Sequence, residues 1–205
     1  MTTRSLRRVL YFGFAALVFV AGCGTAGRQV TRTTIDSQID LSGEWNDIDS
    51  QQVSAALSSQ ILASAWIEDF RAEHGKKPYL IVGRVRNKTS EHIAVKTFIA
   101  DLERSFINGG RVRVVASSDE REGVRDERAD QQEFASTGTM KKWGEEKGAD
   151  FMLLGEINAV VDRAEGQQVK YYQVDCYLVD LQDNTKVWAG FEKIKKYIAH
   201  DKYRP

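Results

Sequence analysis

Over residues 171–178 the chain reads Tyr-Tyr-Gln-Val-Asp-Cys-Tyr-Leu. The alternation places Tyr172, Val174, Cys176 and Leu178 on one side and Tyr171, Gln173, Asp175 and Tyr177 on the other. A period of two marks a strand with one packed face, so the chain must build a sheet that buries the Cys176 side and leaves a wetter one opposite. Neighbouring strands are at hand. The run Phe151-Met152-Leu153-Leu154-Gly155-Glu156-Ile157 is continuously apolar at its start, and Ala164-Glu165-Gly166-Gln167 offers a turn in which glycine accepts a positive φ. Asp183-Asn184 turns the chain again into a last strand, Val187-Trp188-Ala189-Gly190-Phe191, after which a basic tail is expected from Lys193 to Pro205.

Upstream, Asp49 or Ser50 can cap a helix in which Val53, Leu57, Ile61 and Ala65 recur every four residues. Trp66, Ile67 and Phe70 widen that stripe, and His74-Gly75 supplies an end, with a basic side chain at the negative pole and glycine at the left-handed position. Pro78 opens a short apolar strand over residues 79–86. Asn87-Lys88-Thr89-Ser90 breaks it, a helix with Val95, Phe98, Ile99, Leu102 and Phe106 on one face follows, and Asn108-Gly109-Gly110 stops that helix before a strand at 111–115. Strand, helix, strand in this compass predicts a parallel pair with a right-handed crossover. Two further helices are expected, a charge-dense one over 119–135 on a solvated flank and one over 140–147 that offers Met140 and Trp143 to the core. The predicted class is α/β, a single mixed β-sheet flanked by helices in the order α-β-α-β-α-α-β-β-β.

The amino-terminal residues belong to none of this. Arg4, Arg7 and Arg8 precede an uncharged run over residues 9–22, shorter than the roughly 20 residues a membrane span needs. A basic start, an apolar stretch and small residues at a cleavage point describe a secretory leader. Ala21 and Gly22 directly before Cys23 resemble the bacterial lipobox, which implies diacylglycerol on the Cys23 sulfur, cleavage before it and a fatty acyl group such as palmitate on the new amine. Gly24 stands where inner-membrane retention uses aspartate, so the expected place is the outer membrane, lipid-anchored and facing the periplasm. The domains expected are a signal peptide at 1–22, lipidated Cys23 with a tether at 23–44, a globular domain at 45–196 and a tail at 197–205. The 21 residues 24–44 span at most roughly 75 Å and average roughly 25 Å as a coil.

Charge narrows the function. The chain carries 29 basic and 29 acidic residues, and losing the three leader arginines leaves an acidic excess of three, which argues against nucleic acid as a partner. Two cysteines, one of them Cys23, make no disulfide framework. His74, His92 and His200 lie at a helix end, in a loop and in the tail, so no metal site is expected. Phosphate-cradling glycine loops and a nucleophile elbow are missing. Cys176 sits in register with apolar neighbours as an inert core thiol. Catalytic residues: none are predicted, and no cofactor; the protein is read as a non-enzyme.

Several stretches together resemble the LpoB family, outer-membrane lipoproteins that activate bifunctional penicillin-binding proteins. They are Ile81-Val82, Val85-Arg86-Asn87-Lys88-Thr89-Ser90, the helix from Phe98 closing on Asn-Gly-Gly, Val114-Val115-Ala116, Gly148-Ala149-Asp150-Phe151-Met152-Leu153 and Val187-Trp188-Ala189-Gly190. Trp45-Asn46 is similar to the start of that family's first helix. The resemblance implies a fold like the amino-terminal domain of TolB and the soluble part of CsgG. It also implies a partner, a bifunctional penicillin-binding protein (a peptidoglycan synthase), and regulation of cell-wall peptidoglycan biosynthesis by contact. Alternatives are a CsgG-like secretion-channel subunit and a structural envelope lipoprotein. For partner binding, Tyr171 and Tyr177 project together as aromatic anchors, with Arg84 and Arg86 able to flank them; the other reading is that helices cover that face and half-bury the tyrosines.

Overall fold

The computed structural model describes residues 30–35, 37–136, 138–139, 141 and 146–199. The expected leader, Cys23, the helical residues Met140 and Trp143, and His200 lie outside the described residues. Two compact units divide the chain, Met1–Ile35 and Asp36–Pro205; of the first, residues 30–35 are exposed and carry no helix or strand. Every helix and strand described belongs to the second, and among the described residues no helix is long and apolar enough to cross a membrane.

The elements are α1 (Asp47–Ala63), α2 (Trp66–His74), β1 (Tyr79–Asn87), α3 (Val95–Gly109), β2 (Arg113–Val114), α4 (Ser118–Phe134), β3 (Phe151–Ala164), β4 (Gln167–Asp180) and β5 (Lys186–Ala199). One five-stranded sheet runs in the order β2-β1-β3-β4-β5. β1 is parallel to both β2 and β3, whereas β3, β4 and β5 form an antiparallel meander. This is the predicted single mixed sheet flanked by helices. Every buried hydrophobic strand residue lies on the Cys176 side, facing α1, α2 and α3. In α3, Phe98, Leu102 and Phe106 recur every four residues and are fully buried, each contributing about 1.5–3 kcal/mol of apolar burial.

Three departures from expectation have physical causes. The single helix expected to run to His74 is two helices. Asn46, rather than Asp49 or Ser50, caps the first, its side chain accepting the Asp49 amide at 3.0 Å while the Asp49 carboxylate accepts the Asn46 amide at 2.9 Å. Extended backbone at Ser64 then breaks it, and the Trp66 indole donates to the Ile61 carbonyl at 3.0 Å, satisfying one group freed by the break. The new direction brings Trp66 and Phe70 edge-on to Phe151, with centroids 5.0 and 5.3 Å away.

Strand β2 is two residues long, where five were expected, because the Arg111 guanidinium turns away to the Leu62 carbonyl and to Glu68. The basic tail expected from Lys193 is instead strand through Ala199, paired residue by residue with β4. Between α4 and β3, the described residues Lys141, Glu146 and Lys147 are not helical. α4 itself buries nothing, as expected of a solvated flank.

Two glycines are required by geometry. The register of β1 against β3 shifts between Val82 and Val85, and a Cβ on Gly83 in that bulge would lie 2.9 Å from the Leu154 side chain and 3.0 Å from the Leu153 carbonyl. At the β3–β4 hairpin, Glu165 and Gly166 both have positive φ, 49° and 79°, the two-residue turn whose twist matches the strands.

Candidate functional site

Among the described residues, one face of the sheet has no helix packed on it. α1, α2 and α3 pack on the other, and α4 buries no side chain at all. On this open face Tyr171 and Tyr177 are half-buried and Arg84 and Arg86 exposed. The tyrosines share the face but stand six residues apart on β4, roughly 20 Å along the strand. Tyr171 donates its hydroxyl to Gln173 Oε1 at 3.0 Å, and Gln173 donates to Asp175 Oδ1 at 2.8 Å. Lys186 Nζ sits 4.1 Å from the centre of the Tyr177 ring. Arg86 is the cross-strand partner of Glu156, Glu156 of Asp175 and Asp175 of Phe191, so its row crosses the face between the two tyrosines. Arg84 lies in the β1 bulge. The four residues therefore border a patch rather than converge on a point.

Sequence reasoning missed the patch's other half. Phe191, Lys193, Lys195 and Tyr197 of β5 alternate onto this face, with Phe191 53% and Tyr197 63% exposed. The signal was present as a period of two against Ile194, Lys196 and Ile198, but four lysines within residues 193–202 made it read as tail.

A second constellation lies on the buried face. Lys170 and Lys196, cross-strand partners there, are both largely buried. Lys170 Nζ reaches Glu91 Oε1 at 2.8 Å and Glu44 at 3.8 Å. Lys196 Nζ reaches Asp49 at 2.6 Å, Asp40 at 2.7 Å and the Glu44 carbonyl at 2.9 Å. Tyr172 donates to both Glu91 oxygens at 2.7 and 2.8 Å, and the Trp45 amide donates to Glu91 at 3.0 Å. Trp45 also meets the Tyr172 ring edge-on at 5.5 Å.

Glu91 is aimed by the loop after β1. Asn87 accepts from the Thr89 amide and hydroxyl and donates to the Glu91 carbonyl at 2.7 Å, an Asx turn that explains why this stretch breaks the strand.

Burial pushes the Glu91 carboxyl up, but hydrogen bonds from Lys170, the Trp45 amide and Tyr172 outweigh it and hold the group below its ordinary value. Lys196 is held above its ordinary value because Asp40 and Asp49 outweigh its burial. Burial, then Glu91, raises the Tyr172 hydroxyl. Each charge has partners, so this cluster binds the segment at residues 40–46 to the domain; it offers no free group for chemistry.

Burial pushes the Cys176 thiol up to about 12, with Asp175 adding to the effect, which keeps it protonated and inert. His74 stacks on Phe70 at 4.2 Å and His92 is exposed. Among the described residues no group of three His, Cys, Asp or Glu side chains could hold a metal ion. The sheet face opposite α1, α2 and α3 is basic and aromatic along β5, through Phe191, Lys193, Lys195 and Tyr197.

A family model described as peptidoglycan-synthase activator LpoB matches residues 49–194. Among solved structures, the chain is similar to the LpoB C-terminal domain from Escherichia coli, with 15% identity, a TM-score of 0.42, and 72% of this chain and 99% of that chain covered. It is also similar to the NMR structure of E. coli LpoB, with 16% identity, a TM-score of 0.39, and coverage of 89% and 84%. The LpoB C-terminal domain from Salmonella enterica gives 16% identity, a TM-score of 0.36, and coverage of 74% and 99%. Curated protein sequences give no match.

Proposed function

Because the chain belongs to the LpoB family of peptidoglycan-synthase activators, we propose that it binds a bifunctional penicillin-binding protein and stimulates its glycan polymerisation and peptide crosslinking from an anchor in the outer membrane. The observation that carries this reading is the family match, which runs through α1 to β5. The leader features at Arg4, Arg7 and Arg8 and the Ala21-Gly22-Cys23 cleavage point support the anchor, with Cys23 acylated and Gly24 leaving the protein free to reach the outer membrane.

Activation by contact requires that the domain prefer the synthase's active state. It shifts the partner only as far as that preference extends. Tyr171, Tyr177, Arg84 and Arg86 on the open face are the proposed contacts, since half-buried tyrosines beside exposed arginines make good anchors on a face that no described helix covers. The tether is shorter than the sequence implies. Asp40 and Glu44 are held by Lys196 and Lys170, so residues 40–44 lie on the domain, and the remaining residues 24–39 have a contour of at most roughly 55 Å. The synthase must come within that distance of the outer membrane plus the domain's own depth.

Photo-crosslinking in cells from Tyr171 and Tyr177, with partners identified by mass spectrometry, tests the reading. Adducts of a bifunctional penicillin-binding protein are expected. Adducts confined to further copies of this chain would favour a self-assembled ring and contradict it.

A further inference from the structure

Among the described residues β5 ends the sheet, and its outer side has no neighbouring strand. It is 14 residues long, contains no proline, and pairs with β4 without irregularity from Trp188 to Ala199. An edge of this kind presents a row of unpaired amides and carbonyls. Beside its last third runs the segment at residues 38–43, and between them opens a groove of about 590 Å³, walled on one side by residues 193–199. Side chains join the two walls: Lys196 holds Asp40 and the Glu44 carbonyl, and Gly43 abuts Ile198. Yet among the described residues no backbone hydrogen bond links the segment to β5. The edge is approached but not paired.

The flanking side chains say what would pair with it. Phe191, Lys193, Lys195 and Tyr197 project to the open face. The ion pairs made by β5 are those of Lys196 on the other side; Lys193 rests over the Phe191 ring at 4.5 Å, and among the described residues no carboxylate lies in ion-pair reach of Lys193 or Lys195. An added strand would set its side chains directly beside these lysines, where opposite charge is favourable and like charge is not. A second copy pairing here through its own β5 would bring lysine against lysine.

We propose that the edge of β5 over residues 193–199 accepts an extended, acidic segment of the synthase as an additional strand, its carboxylates alternating against Lys193 and Lys195. This rests on the activator reading above and supplies the part of the partner it engages. About seven residues of edge, roughly 20 Å, are available.

Hydrogen exchange on the full chain in detergent tests the edge itself, with a capped ten-residue peptide of alternating threonine and glutamate as probe and the threonine–lysine peptide as comparison. Slowed exchange at amides within 193–199 is expected with the acidic peptide alone, and its loss in the Lys193→Glu, Lys195→Glu double variant, whose substitutions are exposed. Equal protection by both peptides, protection elsewhere, or none overturns the proposal; so does slowing that grows with protein concentration in the absence of peptide, since a second copy then holds the edge.

Glycan polymerisation by a purified bifunctional synthase separates this from the activator reading. Stimulation by the unaltered chain and at least a tenfold weaker response to the double variant are expected. Equal stimulation by both overturns edge docking and leaves the activator reading standing. No stimulation by either overturns the activator reading and the synthase as the segment's source, while the exchange result still decides whether the edge takes an acidic strand.

Discussion

Lys170 and Lys196 stand directly opposite each other on the buried face of the sheet, an arrangement of like charges that would destabilise the β4–β5 pair if left alone. Glu91 and Asp49, contacting them at 2.8 and 2.6 Å, turn that liability into a bond between the first helix, the loop after β1 and the last two strands. Removing one partner strands a buried charge. Glu91→Ala, or Lys170→Ala, should cost about 3–5 kcal/mol in urea unfolding. The Lys170→Met, Glu91→Leu double variant should lose markedly less than the sum of the singles, because no charge is then left unpaired.

The same residues set a pH window. Glu91 titrates below its unfolded value of about 4.3, so its contribution is present above that pH and is lost as pH falls through the lower folded value. Lys196 titrates above its unfolded value of about 10.4, so its contribution is full below that pH and is lost as pH rises through the higher folded value. Urea midpoints against pH should show a plateau between these limits. Glu91→Gln should flatten the acid limb and Lys196→Met the alkaline one.

Gly43 governs how residues 40–44 lie on β5. Its φ is +67°, and a Cβ there would overlap the Ile198 side chain. Gly43→Ala should combine a left-handed backbone cost of about 1–2 kcal/mol with that clash. The expected result is faster proteolysis near residues 38–44, with the circular dichroism of the sheet unchanged.

Much of this fold is written in short-range pattern. The alternation from Tyr172 to Leu178, the four-residue spacing of Phe98, Leu102 and Phe106, and the turn glycines at 75, 110 and 166 each report local geometry. What escaped depends on distant partners. The break at Ser64 is set by Phe151, nearly ninety residues away in sequence. Lys196 reads as part of a basic tail until Asp49 and Asp40 are seen beside it. For the candidate site, the period placed Tyr171 and Tyr177 on one face. It was silent on their separation by Gln173 and Asp175 as a hydrogen-bonded row, and on the continuation of the patch through Phe191, Lys193, Lys195 and Tyr197.

Replacing Cys23 by alanine should detach the protein from the membrane without unfolding it, because every helix and strand described begins at or after Asp47. Fractionation should find the variant soluble in the periplasm, with an unfolding midpoint matching that of the acylated protein in detergent.

The activator reading is tested most directly by the rate of glycan polymerisation by a purified bifunctional penicillin-binding protein with and without this chain. The account predicts a saturable increase in rate that weakens when Tyr171 and Tyr177 are both replaced by alanine. An unchanged rate at concentrations where the two proteins demonstrably bind would contradict it.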